Sequence, residues 1–212
     1  DTARRALDRI IVSGPAPQVF HHEFQESNVK GWLGPVDRHN RLGRQQQFLA
    51  TMPKDYPEQG EFRVRVKLTA ELKPDKGFPI LEVAVGYRPD TKILFREAGI
   101  VEITSPDEQV LEFRGRLENH PLPVRGQGKF PGLVVRARNI YDDGSPLPKA
   151  TKGKGDKKRG TVYPDEPALP TITIQSVEFD APVFDQWPPA LHRGIVFDSD
   201  KRESDESAYV AE

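Results

Sequence analysis

From Glu61 to Leu72 apolar and charged side chains alternate: Phe62, Val64, Val66 and Leu68 against Arg63, Arg65 and Lys67. Successive side chains of a β-strand point to opposite faces, so this period of two puts one face in a core and the other in water. A helix needs a period near 3.6 and cannot gather these apolar residues on one side. Leu81, Val83 and Val85 repeat the pattern; Val110, Leu111, Phe113 and Leu117 do so less regularly.

The same reading predicts strands over residues 19–25, 45–51, 61–72, 80–87, 93–103, 109–117, 132–139 and 171–183. Turn formers mark the joints: Pro57-Glu58-Gln59-Gly60, Pro74-Asp75-Lys76-Gly77, Arg88-Pro89-Asp90, Ser105-Pro106-Asp107 and Lys129-Phe130-Pro131-Gly132. Strands in succession with short turns point to an all-β fold, an antiparallel β-sandwich of jelly-roll type with short flanking helices. An immunoglobulin-like sandwich is the rival, but its Cys-Trp-Cys signature is missing.

The flanks read differently. Ala3, Leu7 and Ile10 or Ile11 fall at helical spacing, so residues 2–12 are expected to form a short amphipathic helix that ends at Ser13-Gly14-Pro15. Residues 142–170 are rich in Gly, Pro and Lys, including 152–159, and read as a long mobile loop before the last strand. Residues 184–203 leave the sandwich through Gln186-Trp187-Pro188-Pro189, and Ser204 caps what looks like a new helix. The expected organisation is a helix remnant over 1–14, a sandwich over 19–183, and a linker with the start of a helical domain over 184–212. Both ends then read as boundaries within a longer protein.

Composition narrows the chemistry. Cysteine is absent, which removes disulfides, thiolate zinc sites, Cys nucleophiles and covalent c-type haem attachment. The 212 residues carry a net charge of −1, so no global basic field draws the chain to nucleic acid. No run approaches the roughly 18 apolar residues of a membrane span. The basic run at 149–159 would suit anionic polymers, but without interleaved aromatics it is a poor nucleic-acid signal.

No nucleophile elbow, His-Glu-x-x-His or phosphate loop is present; Gly126-Gln127-Gly128-Lys129 lacks the Ser or Thr that a phosphate loop needs. His21 and His22 are adjacent on a strand and point apart, so they cannot chelate one ion together. Calcium takes hard oxygen ligands. Glu23 and Gln25 share a face of the first strand, Glu178 and Asp180 a face of the last, and in a jelly roll these strands often lie close. The four are therefore candidate ligands of a structural calcium ion. Sugar rings stack on exposed aromatics beside polar groups, which singles out Trp32 with Arg38, and Tyr141 with Asn139, as candidate ligand-binding residues.

Phe179-Asp-Ala-Pro-Val-Phe-Asp-Gln-Trp-Pro-Pro-Ala-Leu-His-Arg193, then Ile195-Val-Phe-Asp198 and Glu206-Ser-Ala-Tyr209, resembles a segment of large multidomain proteins of unknown function from planctomycetes and related bacteria. Thr2-Ala-Arg-Arg-Ala-Leu-Asp-Arg9 is similar to the helix that ends the family's preceding domain, and Gly60-Glu-Phe-Arg-Val-Arg-Val66 to its central β-domain. Many members also carry a c-type cytochrome domain. The resemblance implies export to the periplasm or beyond and neighbouring domains as partners. It also implies a central domain similar to carbohydrate-binding jelly rolls. The haem motif Cys-x-x-Cys-His is absent, so no haem is expected in this chain. The expected function is a non-catalytic, carbohydrate-binding-like module with a polysaccharide or glycan as partner. A structural spacer that binds no small ligand and an unrecognised hydrolase are the alternatives.

Overall fold

The computed structural model describes residues 11–12, 14–28, 40–87, 94–122, 132–149, 151–152, 161–162 and 164–196. It is an all-β sandwich of two antiparallel sheets. In chain order the strands are β1 (Phe20–Phe24), β2 (Arg41–Leu42), β3 (Gln47–Met52), β4 (Glu61–Glu71), β5 (Ile80–Tyr87), β6 (Leu94–Glu102), β7 (Gln109–Arg116), β8 (Leu133–Asn139), β9 (Thr151–Lys152), β10 (Thr161–Val162) and β11 (Thr171–Ala181). One sheet runs β1-β11-β4-β7, with the short β2 also pairing with β11; the other runs β3-β8-β5-β6. Counting only the eight longer strands, first to eighth along the chain, the orders are 1-8-3-6 and 2-7-4-5.

The alternation of β4 explains its place. Phe62, Val64, Val66 and Leu68 are fully buried while the residues between them are half-buried. β11, its neighbour, contributes Ile172, Ile174, Val177 and Phe179 to the same core, and the second sheet supplies Phe48, Leu81, Val83, Val85, Leu133 and Val135. Each such side chain contributes about 1.5–3 kcal/mol by leaving water. Phe62 lies at the centre, stacked on Phe179 at 5.9 Å and edge-on to His120 at 4.9 Å. Gly115 on β7 makes room for it: a Cβ there would lie 2.8 Å from the Phe62 ring.

The eight expected strands are present. What differs lies between them. In its described parts the stretch 142–170 is irregular backbone with two short strands. β9 pairs with β10, and Arg44, with only 1% of its side chain exposed, clamps the base of the insert. Its Nε and Nη2 donate to Glu166 (3.2 and 2.6 Å). Its Nη1 donates to Asp143 (3.0 Å) and Ser145, and Nη2 also to the Pro146 carbonyl. A guanidinium spends its five N–H groups in a fixed fork, so one buried Arg can order several turns at once. Arg44 sits in the Gly43–Gln46 turn between β2 and β3, and nothing in the 142–170 composition announces it.

The chain divides into two compact units, Val19–Val183 and a second formed by Asp1–Gln18 with Phe184–Glu212. In the described part of the second, Phe184 packs edge-on against Trp187 at 4.8 Å, Trp187 Nε1 donates to the Gly14 carbonyl, and the Val12 N–H donates to His192 Nδ1. The expected linker after Trp187-Pro188-Pro189 holds a short helix, α1 (Ala190–Ile195). The helix expected over 2–12 lies outside the described residues except for Ile11 and Val12, as do the helix start at Ser204 and the lysine-rich run 153–159. Among the described residues no helix is long and apolar enough to cross a membrane.

Candidate functional site

The turn between β4 and β5 carries Lys73-Pro74-Asp75-Lys76-Gly77-Phe78. Asp75 (φ +59°) and Gly77 (φ +72°) take the left-handed conformation, which Asp and Gly tolerate best, and Lys76 N–H closes the turn on the Lys73 carbonyl. The turn leaves Phe78 39% exposed, a large aromatic in water just before a buried strand. The segment after β8 meets it: Ile140 N–H donates to the Ile80 carbonyl, and the Tyr141 hydroxyl donates to the Lys76 carbonyl. Between them lies a cleft of about 480 Å³ at one end of the second sheet, lined by Asp75, Lys76, Gly77, Phe78, Ile80, Glu102, Tyr141, Asp142 and Asp143.

Its walls are fixed by local hydrogen bonds. Asp142 accepts from Gly144 N–H (2.9 Å), Asp143 from Ser145 N–H and hydroxyl, and Arg44 holds Asp143 from beneath. The Ser145 bonds hold the Asp143 carboxyl below its ordinary range. Burial, with the Asp143 charge nearby, pushes the Tyr141 phenol up, so at neutral pH it stays a neutral donor. Chemically the cleft offers one flat apolar ring, four carboxylates as acceptors and one ammonium as donor.

The described residues that the sequence brought forward fall in two places, one at the cleft and one on the paired first and last strands. Tyr141 lines the cleft wall but is only 5% exposed, so it supports rather than presents a face. Asn139 is fully buried; its amide donates to the Leu42 carbonyl and its oxygen accepts from Tyr141 N–H. Trp32 and Arg38 lie outside the described residues.

The first and last strands are neighbours, with Glu23 opposite Glu178 and His21 opposite Asp180. The Asp180 and Glu178 carboxylates face cations of the protein. Arg63 donates to Asp180 through Nε and Nη2 (3.2 and 3.0 Å), Arg65 reaches both Asp180 (3.3 Å) and Glu178 (2.7 Å), and His21 Nδ1 lies 2.6 Å from Asp180. Burial would raise the Asp180 pKa; the His21 and Arg63 hydrogen bonds outweigh it and hold the carboxyl below its usual range. Gln25 is 3.5 Å from Glu23. Among the described residues no group of three or more His, Asp or Glu is arranged to hold a metal ion.

Phe78, Asp75, Lys76 and Glu102 were not singled out by the sequence reading. The turn itself was legible, but its signal stopped at Gly77. An aromatic between Gly77 and Pro79, outside any alternating run, is the feature that marks it. Compared with known proteins, the chain matches no family model and no curated protein, and its fold matches no solved structure.

Proposed function

We propose that this chain is a non-catalytic carbohydrate-binding module, one part of a larger exported protein. The observation that carries the reading is Phe78, a solvent-facing ring set in a cleft among hydrogen-bonding groups, the pattern by which a protein takes up a sugar. The strand orders 1-8-3-6 and 2-7-4-5 support a jelly roll, since they place the first and last strands side by side and send successive strands to opposite sheets except at the hairpin of the fourth and fifth. Among the described residues every carboxyl whose pKa clearly departs from its ordinary value is lowered, and none is raised toward a general acid's working range. Export and the neighbouring domains rest on the planctomycete resemblance.

Affinity electrophoresis against plant, algal and bacterial polysaccharides tests this. At least one should retard the chain, and Phe78→Ala should weaken that binding about tenfold. Retardation by none of them, or binding indifferent to Phe78→Ala, contradicts the reading. A second reading, a spacer that packs between domains, is favoured by α1: Leu191 is 69% and Ile195 40% exposed, and none of its residues is buried.

A further inference from the structure

Each sheet has two edges, and a free strand edge is a row of unpaired N–H and C=O groups that can pair with another extended chain. Three of the four edges are blunted. Along β3, the Ser27 hydroxyl and the backbone and side chain of Asn28 bond to Leu49 and Thr51. β6 carries a bulge where it passes Val83 and Ala84, and β1 is only five residues long. β7 has none of these devices. Its eight residues run in unbroken register with β4 and include no proline. Among the described residues no strand pairs with its far side. Leu111, which points toward the core, is only partly buried there, and Val110 on the outer face is 57% exposed.

Charge is the remaining way to blunt an edge, and on β7 the charges match rather than repel. Glu112, Arg114 and Arg116 share the outer face with Val110 and are 40%, 37% and 64% exposed. Consider a second copy laid antiparallel along β7, on a twofold axis through Phe113. Glu112 then faces the partner's Arg114, and Arg114 faces the partner's Glu112. Val110 meets the aliphatic stem of the partner's Arg116. Toward the core, Leu111 meets the partner's Gly115, which has no side chain to obstruct it. Moving the axis to Glu112 or to Arg114 sets that residue against its own charge, so the register is specified. Within its own chain Arg114 already bonds to Glu112 (2.7 Å) and Glu61 (3.2 Å). A carboxylate accepts several donors, so the partner's Arg114 adds to this network without displacing a bond. We propose that β7 is a self-pairing edge, through which two copies of this chain join their first sheets into one continuous antiparallel sheet. One strand pairing buries less than about 1,000 Å², so the dimer is weak and concentration-dependent. Nothing in this pairing depends on a bound glycan.

The test is sedimentation equilibrium of the whole chain at concentrations up to about 1 mM. The expected result is a reversible monomer–dimer equilibrium. Arg114→Glu sets like charges opposite each other twice and should raise the dissociation constant about tenfold, as should Glu112→Arg. The double variant Glu112→Arg/Arg114→Glu restores both pairs with their polarity reversed and should return to within about threefold of the parent. An equimolar mixture of the two single variants should form a dimer that neither forms alone, which a purely structural role for these side chains does not predict. A second measurement uses the unaltered protein, so misfolding of a variant does not blunt it: amide shifts that change with protein concentration should fall along β7. A monomer at about 1 mM, a dimer indifferent to Arg114→Glu, folded single variants that stay apart when mixed, or concentration-dependent shifts on β1, β3 or β6 in place of β7 each overturn the proposal.

Discussion

The two sheets share a core but differ on their outer faces. On the first, β4 buries every second residue, and residues between them pair with charges from β7 and β11. Lys67 meets Glu108 and Arg41 meets Glu71 in the same way. That face is a solvated charge ladder, as antiparallel sheets with one wet side commonly show. On the second sheet Leu49, Ala84 and Val134 point outward yet are buried, and the arginines among them are half-buried. Ser27 and Asn28 bond to Leu49 and Thr51 along its β3 edge.

This contrast can be broken experimentally, and the largest effect belongs to the second sheet's end. Arg44→Met removes the charge that Asp143 and Glu166 surround, and should cost about 3 kcal/mol in a urea denaturation. It should also loosen the cleft wall and weaken glycan binding. A variant as stable as the parent would show that the clamp holds little.

Next comes the one buried charge of the ladder. Asp180→Asn should cost about 2 kcal/mol at pH 7, since two arginines and His21 lose their ionic acceptor. The native pKa of Asp180 is lowered, so its contribution is full above the ordinary carboxylate range. It fades as the pH falls through the lowered native value. The gap between parent and variant should therefore close in acid. A gap that widens as the pH drops would contradict the assignment. Glycan binding should not change.

The smallest effect is expected from Lys67→Ala. Lys67 and Glu108 are 41% and 54% exposed, and such pairs contribute little. Its stability and binding should match those of the parent within error. A measurable loss of binding would move the ligand site to the wrong sheet.

The strands were legible because burial on one face leaves a period of two, as at Phe62 to Leu68, and because turn residues set their limits. β2, β9 and β10 were not, since two residues cannot display a period. The contacts at the base of the insert were hidden for a different reason: they are made by Arg44, about a hundred residues away in sequence. The site was harder still. Tyr141 lines the cleft and Asn139 is buried, but sequence cannot tell an aromatic that presents a ring from one that props a wall. Asp180 and Glu178 share a face as expected. The arginines opposite them became visible only once β4 was known to lie beside β11.

The central claim is that ligand recognition belongs to the second sheet and its end. Mapping amide shifts of the whole chain against a retained polysaccharide fragment tests it most directly. The account predicts changes at Phe78, Glu102 and Tyr141, with Arg63, Arg65 and Lys67 silent. Changes centred on β4 and β7 would contradict it.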